Sequence, residues 1–242
     1  MELFTGIIAR VRDFMDEVAP SRTFNGAHPS SWPKGGGRNI VLKEDLGLEL
    51  GSPRQESVSC LLWTEDLSLV ADGRVTLAGP DFPESRGRSL PFGKVVLAGV
   101  QGFDEDNAYA RHKEMDFLRY DLDLKGFMLR AVSQYMREWC RISSWAIENG
   151  LNAHILGHTH MEQFRFLPYV RSVEIFYLTT SSRDVQRLRE ITLPAEKTIG
   201  AMNKMASEMD FDCESCDYRD VCDEADELKA MRTRLLKKRQ EA

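Results

Sequence analysis

Residues 57–63 (SVSCLLW), 74–78 (RVTLA) and 92–100 (FGKVVLAGV) decide the fold class of this chain. Each is a short apolar run set between turn residues, such as Ala71-Asp72-Gly73 and Gly79-Pro80-Asp81, and each reads as a strand. Residues 39–42 read as a further strand. The clearest one is VRSVEIFYLTT (170–180), β-branched and aromatic with breaks at both ends. Helical spacing surrounds these runs. Residues 3–18 place Leu3, Phe4, Ile7, Ile8, Val11, Phe14, Met15 and Val18 on one face, and Pro20 ends that helix. Residues 104–120, 126–141 and 152–166 read as three more helices, and 182–207 as a long one in which Pro194 and Gly200 predict a kink or two pieces. A last helix is expected over 223–240, and the Gly-, Pro- and Ser-rich text from Ser21 to position 38 reads as loop. Strands early and helices later predict an α+β fold. Its mixed or antiparallel sheet is packed by helices and followed by a C-terminal helical tail that carries cysteines.

The 242 residues include 42% hydrophobic ones, enough for a substantial core. No apolar run approaches the roughly 20 residues that cross a bilayer, so no membrane span is expected. The charged pattern of MELFTGIIARVRDFMDEV does not follow the order of a signal peptide, and the expected location is cytoplasmic. A net charge of −6 argues against general affinity for nucleic acid. That charge is unevenly spread, with a net of −9 over residues 208–227, +5 over 228–242 and −2 over the rest. The division predicts an α+β body over 1–207 and an acidic, cysteine-containing metal-binding tail with a terminal basic helix over 208–242. The basic helix of one copy could meet the acidic segment of another, so an oligomer is possible.

The strongest chemical signal is the Cys213-x2-Cys216-x5-Cys222 array. Two thiolates in CxxC spacing converge on one ion or cluster corner, and a third can return to it if a helix begins there. Both a structural zinc site and a [4Fe–4S] cluster want four ligands. The candidates for the fourth are Asp226, Cys140, Cys60 or an exogenous group. Cys60, in an apolar strand, and Cys140, next to Trp139 in the expected helix, also read as buried core thiols. The bland alternative is three unliganded thiols in an acidic tail.

His154 and His158 share a helix face with His160 nearby, but no glutamate completes an HExxH arrangement, and a packed helix is the expectation. In Trp32-Pro33-Lys34-Gly35-Gly36-Gly37-Arg38, the N–H groups of Gly35, Gly36 and Gly37 with the charges of Lys34 and Arg38 could cradle a phosphate. The stretch matches neither a Walker A loop nor a dinucleotide fingerprint, and a mobile loop is the alternative. The run from Arg119 to Asp123 reads as a solvated turn.

Several phrases occur in a telling order: Asn39-Ile-Val-Leu42, Glu49-Leu-Gly51 with Pro53 and Ser57, Trp63, Asp72-Gly-Arg74-Val-Thr-Leu77 with Gly79-Pro-Asp81, Leu90-Pro-Phe-Gly93, and Arg141-Ile-Ser143 with Gly150. Over roughly residues 30–185 the set resembles acetyl-CoA synthase, the β subunit of the carbon monoxide dehydrogenase/acetyl-CoA synthase complex, in its middle α+β domain. That family's nickel–iron–sulfur centre uses a Cys-Gly-Cys motif, and none occurs here, so no nickel ligand and no catalytic residue is carried over. The resemblance implies anaerobic one-carbon metabolism. Partners of the class of a corrinoid protein, a methyltransferase or a ferredoxin-like donor would meet a short form that binds an iron–sulfur cluster, [4Fe–4S] or alternatively zinc, through Cys213, Cys216 and Cys222. Electron transfer or docking through the tail is the expected role. A CoA-binding subunit that uses Trp32–Arg38, and a non-enzymatic module clipped by zinc, are the alternatives.

Overall fold

The computed structural model describes residues 2–18, 20–26, 32–37, 39–133, 136–207 and 217–240. Its elements, in chain order, are α1 (Thr5–Glu17), β1 (Ser21–Asn25), β2 (Leu46–Leu50), β3 (Ser57–Thr64), β4 (Arg74–Ala78), β5 (Ser89–Leu90), β6 (Phe92–Val100) and α2 (Ala108–Phe117). There follow β7 (Phe127–Ser133), β8 (Arg137–Ser143), α3 (Ser144–Glu148), α4 (Ala153–Phe164), β9 (Val170–Leu178), α5 (Ser182–Ser207), α6 (Arg219–Glu224) and α7 (Asp226–Gln240). Five strands form one sheet in the order β1-β4-β9-β6-β3, and four form a second in the order β5-β2-β8-β7. Both are mixed: β4 runs parallel to β9 and β3 to β6, whereas β9 and β6 are antiparallel. The fold is α+β, as expected.

The first sheet is covered on both faces, which is why every residue of β3 and β6 is buried and these runs read as continuously apolar. Alternation along β9 separates the two coverings. Phe176 lies beneath the Arg12 guanidinium of α1 at 5.9 Å, whereas Tyr177 faces α4. A Cβ at Gly157 of α4 would come within 2.7 Å of Val75 and 3.3 Å of Tyr177, so this poor helix former is the residue that lets α4 lie close on β4 and β9. Glu174, fully buried in β9, is bound by Arg12, by Arg74 and by the Ala71 N–H at 3.0 Å.

The two sheets are joined by a second buried carboxylate. Glu138 of β8 accepts from Lys94 Nζ of β6 at 2.5 Å and from the Ser59 hydroxyl of β3 at 3.0 Å. Its backbone also meets Ser57, whose hydroxyl donates to the Glu138 carbonyl at 2.6 Å. Burial pushes the Glu138 carboxyl up, but the Lys94 charge and these hydrogen bonds outweigh it and hold the group below its ordinary range.

Four expectations are corrected. Residues 126–141 fold as the β7–β8 hairpin, not a helix. Glu138, Cys140 and Ile142 are buried at every second position of β8, and the polar Glu138 in that inward row hides the strand pattern. Cys140 therefore lies in a strand. Residues 39–42 are not a strand: only Val41 is buried, while Ile40 and Leu42 stand exposed. Within the stretch read as loop, Ser21–Asn25 form β1, paired antiparallel with β4. Finally, α5 is one helix through Pro194 and not two pieces, with the Thr198 hydroxyl donating to the Pro194 carbonyl at 3.0 Å. Helices α6 and α7 lie against α5 and add Cys222, Leu228 and Met231 to the core.

Lys94→Met is expected to destabilise the fold by about 3–5 kcal/mol in denaturant unfolding, because it strands a buried carboxylate. The double variant Lys94→Met/Glu138→Leu should recover most of that loss. Acid sensitivity has a separate source. Burial lowers the His112 imidazole from 6.5 to about 4 and His160 to about 3. The unfolded chain binds those protons first, so stability should fall as pH drops from about 6.5 towards 4, on the order of 3 kcal/mol for His112. A His112→Leu variant should show a flatter acid limb in the same measurement.

Candidate functional site

A groove of about 520 Å³ opens where the 32–45 segment crosses the ends of the β7–β8 hairpin, lined among others by Lys34, Asn39, Glu44, Lys125 and Trp145. Its floor is built locally. The Ser143 hydroxyl, at the end of β8, accepts from the Ala146 N–H at 3.2 Å and starts α3, which sets Trp145 at the groove. Gly126 takes a φ of +81°, and a Cβ there would fall 2.4 Å from the Ser143 hydroxyl oxygen, so only glycine fits this turn. The preceding residue, Lys125, donates its N–H to the Pro33 carbonyl at 2.9 Å and accepts from the Trp32 indole at 3.0 Å. Two tryptophans thereby meet edge to face, Trp32 and Trp145, with centroids 5.8 Å apart. The Lys125 ammonium sits 4.3 Å from the centre of the Trp145 ring.

The glycine loop is held from the other side by Asp123. Its carboxylate accepts from the N–H groups of Gly35 at 2.9 Å, Gly36 at 3.3 Å and Gly37 at 3.3 Å, and from the Asn39 amide at 3.0 Å. Partial burial pushes the Asp123 carboxyl up, but these four hydrogen bonds outweigh it and hold the group below the usual carboxylate range. The N–H groups expected to cradle a phosphate are thus spent on a carboxylate of the chain itself, and the loop is a clasp. Lys34 and Gly35 still line the groove. Arg38 lies outside the described residues. The run expected to be a solvated turn supplies the clasping residue, and Asp123, Lys125 and Trp145 carry no local motif that would have singled them out.

The cysteine array is only partly described. Cys213 and Cys216 lie outside the described residues. Cys222 is buried on α6, where that helix packs between α5 and α7. Asp226 opens α7 and pairs with Lys229 at 3.2 Å. Cys60 and Cys140 are core thiols whose ionisation is opposed by burial, and Cys140 donates to Glu138 at 3.5 Å. Among the described residues no three His, Cys, Asp or Glu side chains gather as a metal site. The three histidines of α4 diverge: His154 stacks on Phe24, His158 neighbours Glu162, and His160 is buried against Phe164. Among the described residues no helix is long and apolar enough to cross a membrane.

Two mixed sheets, a clasped glycine loop and a groove walled by lysine and tryptophan define an α+β domain with an open ligand-sized cleft lined by residues between Lys34 and Trp145. The chain belongs to the CO dehydrogenase/acetyl-CoA synthase complex beta subunit family, whose model matches residues 35–184. A relative from Archaeoglobus fulgidus, acetyl-CoA decarbonylase/synthase complex subunit beta, is 28% identical over 193 residues, covering 75% of this chain. The chain spans 36% of that relative's length. The family match takes in the groove lining from Gly35 to Trp145, begins one residue after Lys34, and stops before the cysteine array.

Asp123→Ala should free the 33–39 segment at neutral pH, read as several-fold faster limited proteolysis within it. Because the folded carboxyl titrates below its ordinary value, the clasp is present in full above about pH 4 and is lost only as pH falls through the depressed pKa. Wild-type protein should therefore acquire the same protease sensitivity only in stronger acid.

Proposed function

We propose that this chain is a CoA-binding component of an assembly of the acetyl-CoA decarbonylase/synthase type, and that the groove takes part of the CoA molecule. The observation that carries this reading is the pairing of Lys34 and Lys125 with the Trp145 wall in one cleft. CoA combines phosphates with an aromatic base and a largely apolar arm. A cation held over an indole ring offers charge beside an apolar surface, which suits such a ligand. The N–H groups of Gly35–Gly37 are committed to Asp123, so the phosphates would rely on the two lysine ammonium groups as point charges. Binding would weaken as salt rises. The relative's name, which includes both acetyl-CoA and complex, agrees with a CoA ligand and with protein partners.

CoA titration followed by tryptophan emission tests this directly. Lys34→Ala/Lys125→Ala should raise the dissociation constant about tenfold or more, the equivalent of ~1.4 kcal/mol. No change in emission or heat at millimolar CoA would remove the reading.

A second reading rests on Cys222. A thiol buried where α6 meets α5 and α7 is held inside the fold, as one ligand of a cluster shared with Cys213 and Cys216 would need. Such a cluster would supply one-electron chemistry. The acidic segment around it would orient a basic partner, and a corrinoid protein, a methyltransferase or a ferredoxin-like donor fits the setting. Anaerobically purified protein should then contain about four irons and four sulfides with a brown chromophore, both lost in Cys222→Ser. One zinc without colour would make the tail a structural clip.

A further inference from the structure

Away from the groove, α4 and the turn after α2 close over the face of the first sheet that carries Lys94. Between them lies a small space lined by Ser59, Lys94, Asp116, Arg119, His160 and Phe164, among others, with about 10 Å³ open to the centre of a water-sized molecule. That is on the order of one such molecule. The polar groups around it are not fully used. His160 is 3% exposed, and neither ring nitrogen has a hydrogen-bond partner among the described residues. The Arg119 Nε is buried in the same condition, while its Nη2 pairs with Asp116. Lys94 gives one proton to Glu138 and has others to donate.

The chemistry of this lining selects its occupant. A cation would face the Lys94 and Arg119 donors. An anion would enter a site whose two positive charges are already matched, Lys94 by Glu138 and Arg119 by Asp116, and would itself be unmatched in a low-dielectric interior. An apolar guest would leave the imidazole and the guanidinium N–H without partners. A neutral molecule that both donates and accepts serves all three groups: it can give a proton to a bare imidazole nitrogen and, with two lone pairs, accept from both Lys94 and Arg119.

We infer that this space is the binding site of one internal water molecule, bridging His160 of α4 to Lys94 and Arg119. The water extends the hydrogen-bond network of the Lys94–Glu138 pair outward to α4, so that helix, first sheet and second sheet share one polar node. The Arg119–Asp116 ion pair is its cover.

A high-resolution crystal structure of the full chain tests the inference. A single solvent peak is expected at hydrogen-bond distance from a His160 ring nitrogen, from Lys94 Nζ and from Arg119 Nε. No peak there, a xenon atom under gas pressure, or an anomalous bromide peak after a bromide soak would each overturn it. In solution, oxygen-17 relaxation dispersion should count one long-lived water fewer in His160→Leu than in wild type. Should that variant fail to fold, Arg119→Met removes the cover and should bring the same loss by letting the water exchange rapidly. An unchanged count in a folded variant would also overturn the site.

Discussion

Lys94 on β6 and Glu138 on β8 belong to different sheets, and their ion pair, 2.5 Å long and almost completely buried, is the constraint around which the rest is arranged. Burying two charges gains little net stability over two apolar side chains, because desolvation offsets most of the attraction. What the pair enforces is register. Glu138 must meet Lys94, Ser57 and Ser59 at once, through its carboxylate and its backbone, so β8 can lie against β3 and β6 in one position only. A one-residue slip would turn Glu138 away and bring Arg137 or Trp139 inward.

The groove follows from that register. With β8 placed, its last residue Ser143 caps α3 and delivers Trp145, and the β7 end of the hairpin delivers Lys125 and Gly126. The 32–37 segment is then tied across it by reciprocal bonds with Lys125 and by Asp123. A run of glycine N–H groups is an anion nest by its nature. Here the anion is supplied in cis by Asp123, which orders a loop that composition alone would leave floppy.

The tail obeys a different logic. Its acidic and basic halves carry opposite charge, and part of that charge is matched within the chain: Arg234 of α7 pairs with Glu105 and Asp106 of the body, and Lys197 of α5 with Asp220 of α6. Apolar contacts from Cys222, Leu228 and Met231 fasten the helices to α5. Helices α6, with Cys222, and α7 therefore ride on α5, the longest helix among the described residues, beyond the stretch that the family model matches.

The sequence by itself determined what short-range periodicity encodes: α1, α4, α7, β3, β4, β6 and β9, the α+β class, and the family through its ordered phrases. Each of these elements carries its pattern, periodic or continuously apolar, within a short stretch of its own sequence. The β7–β8 hairpin was not legible, because its turn at Met136 has no Gly or Asn-Gly signal and its inward row contains Glu138, a residue that belongs inside only once Lys94 is opposite. Nor was the clasp: Asp123 and Gly35 are 88 positions apart. Only the tertiary structure decided those features, since a buried charge and an occupied nest take their meaning from partners that chain folding, not sequence adjacency, brings within hydrogen-bond reach.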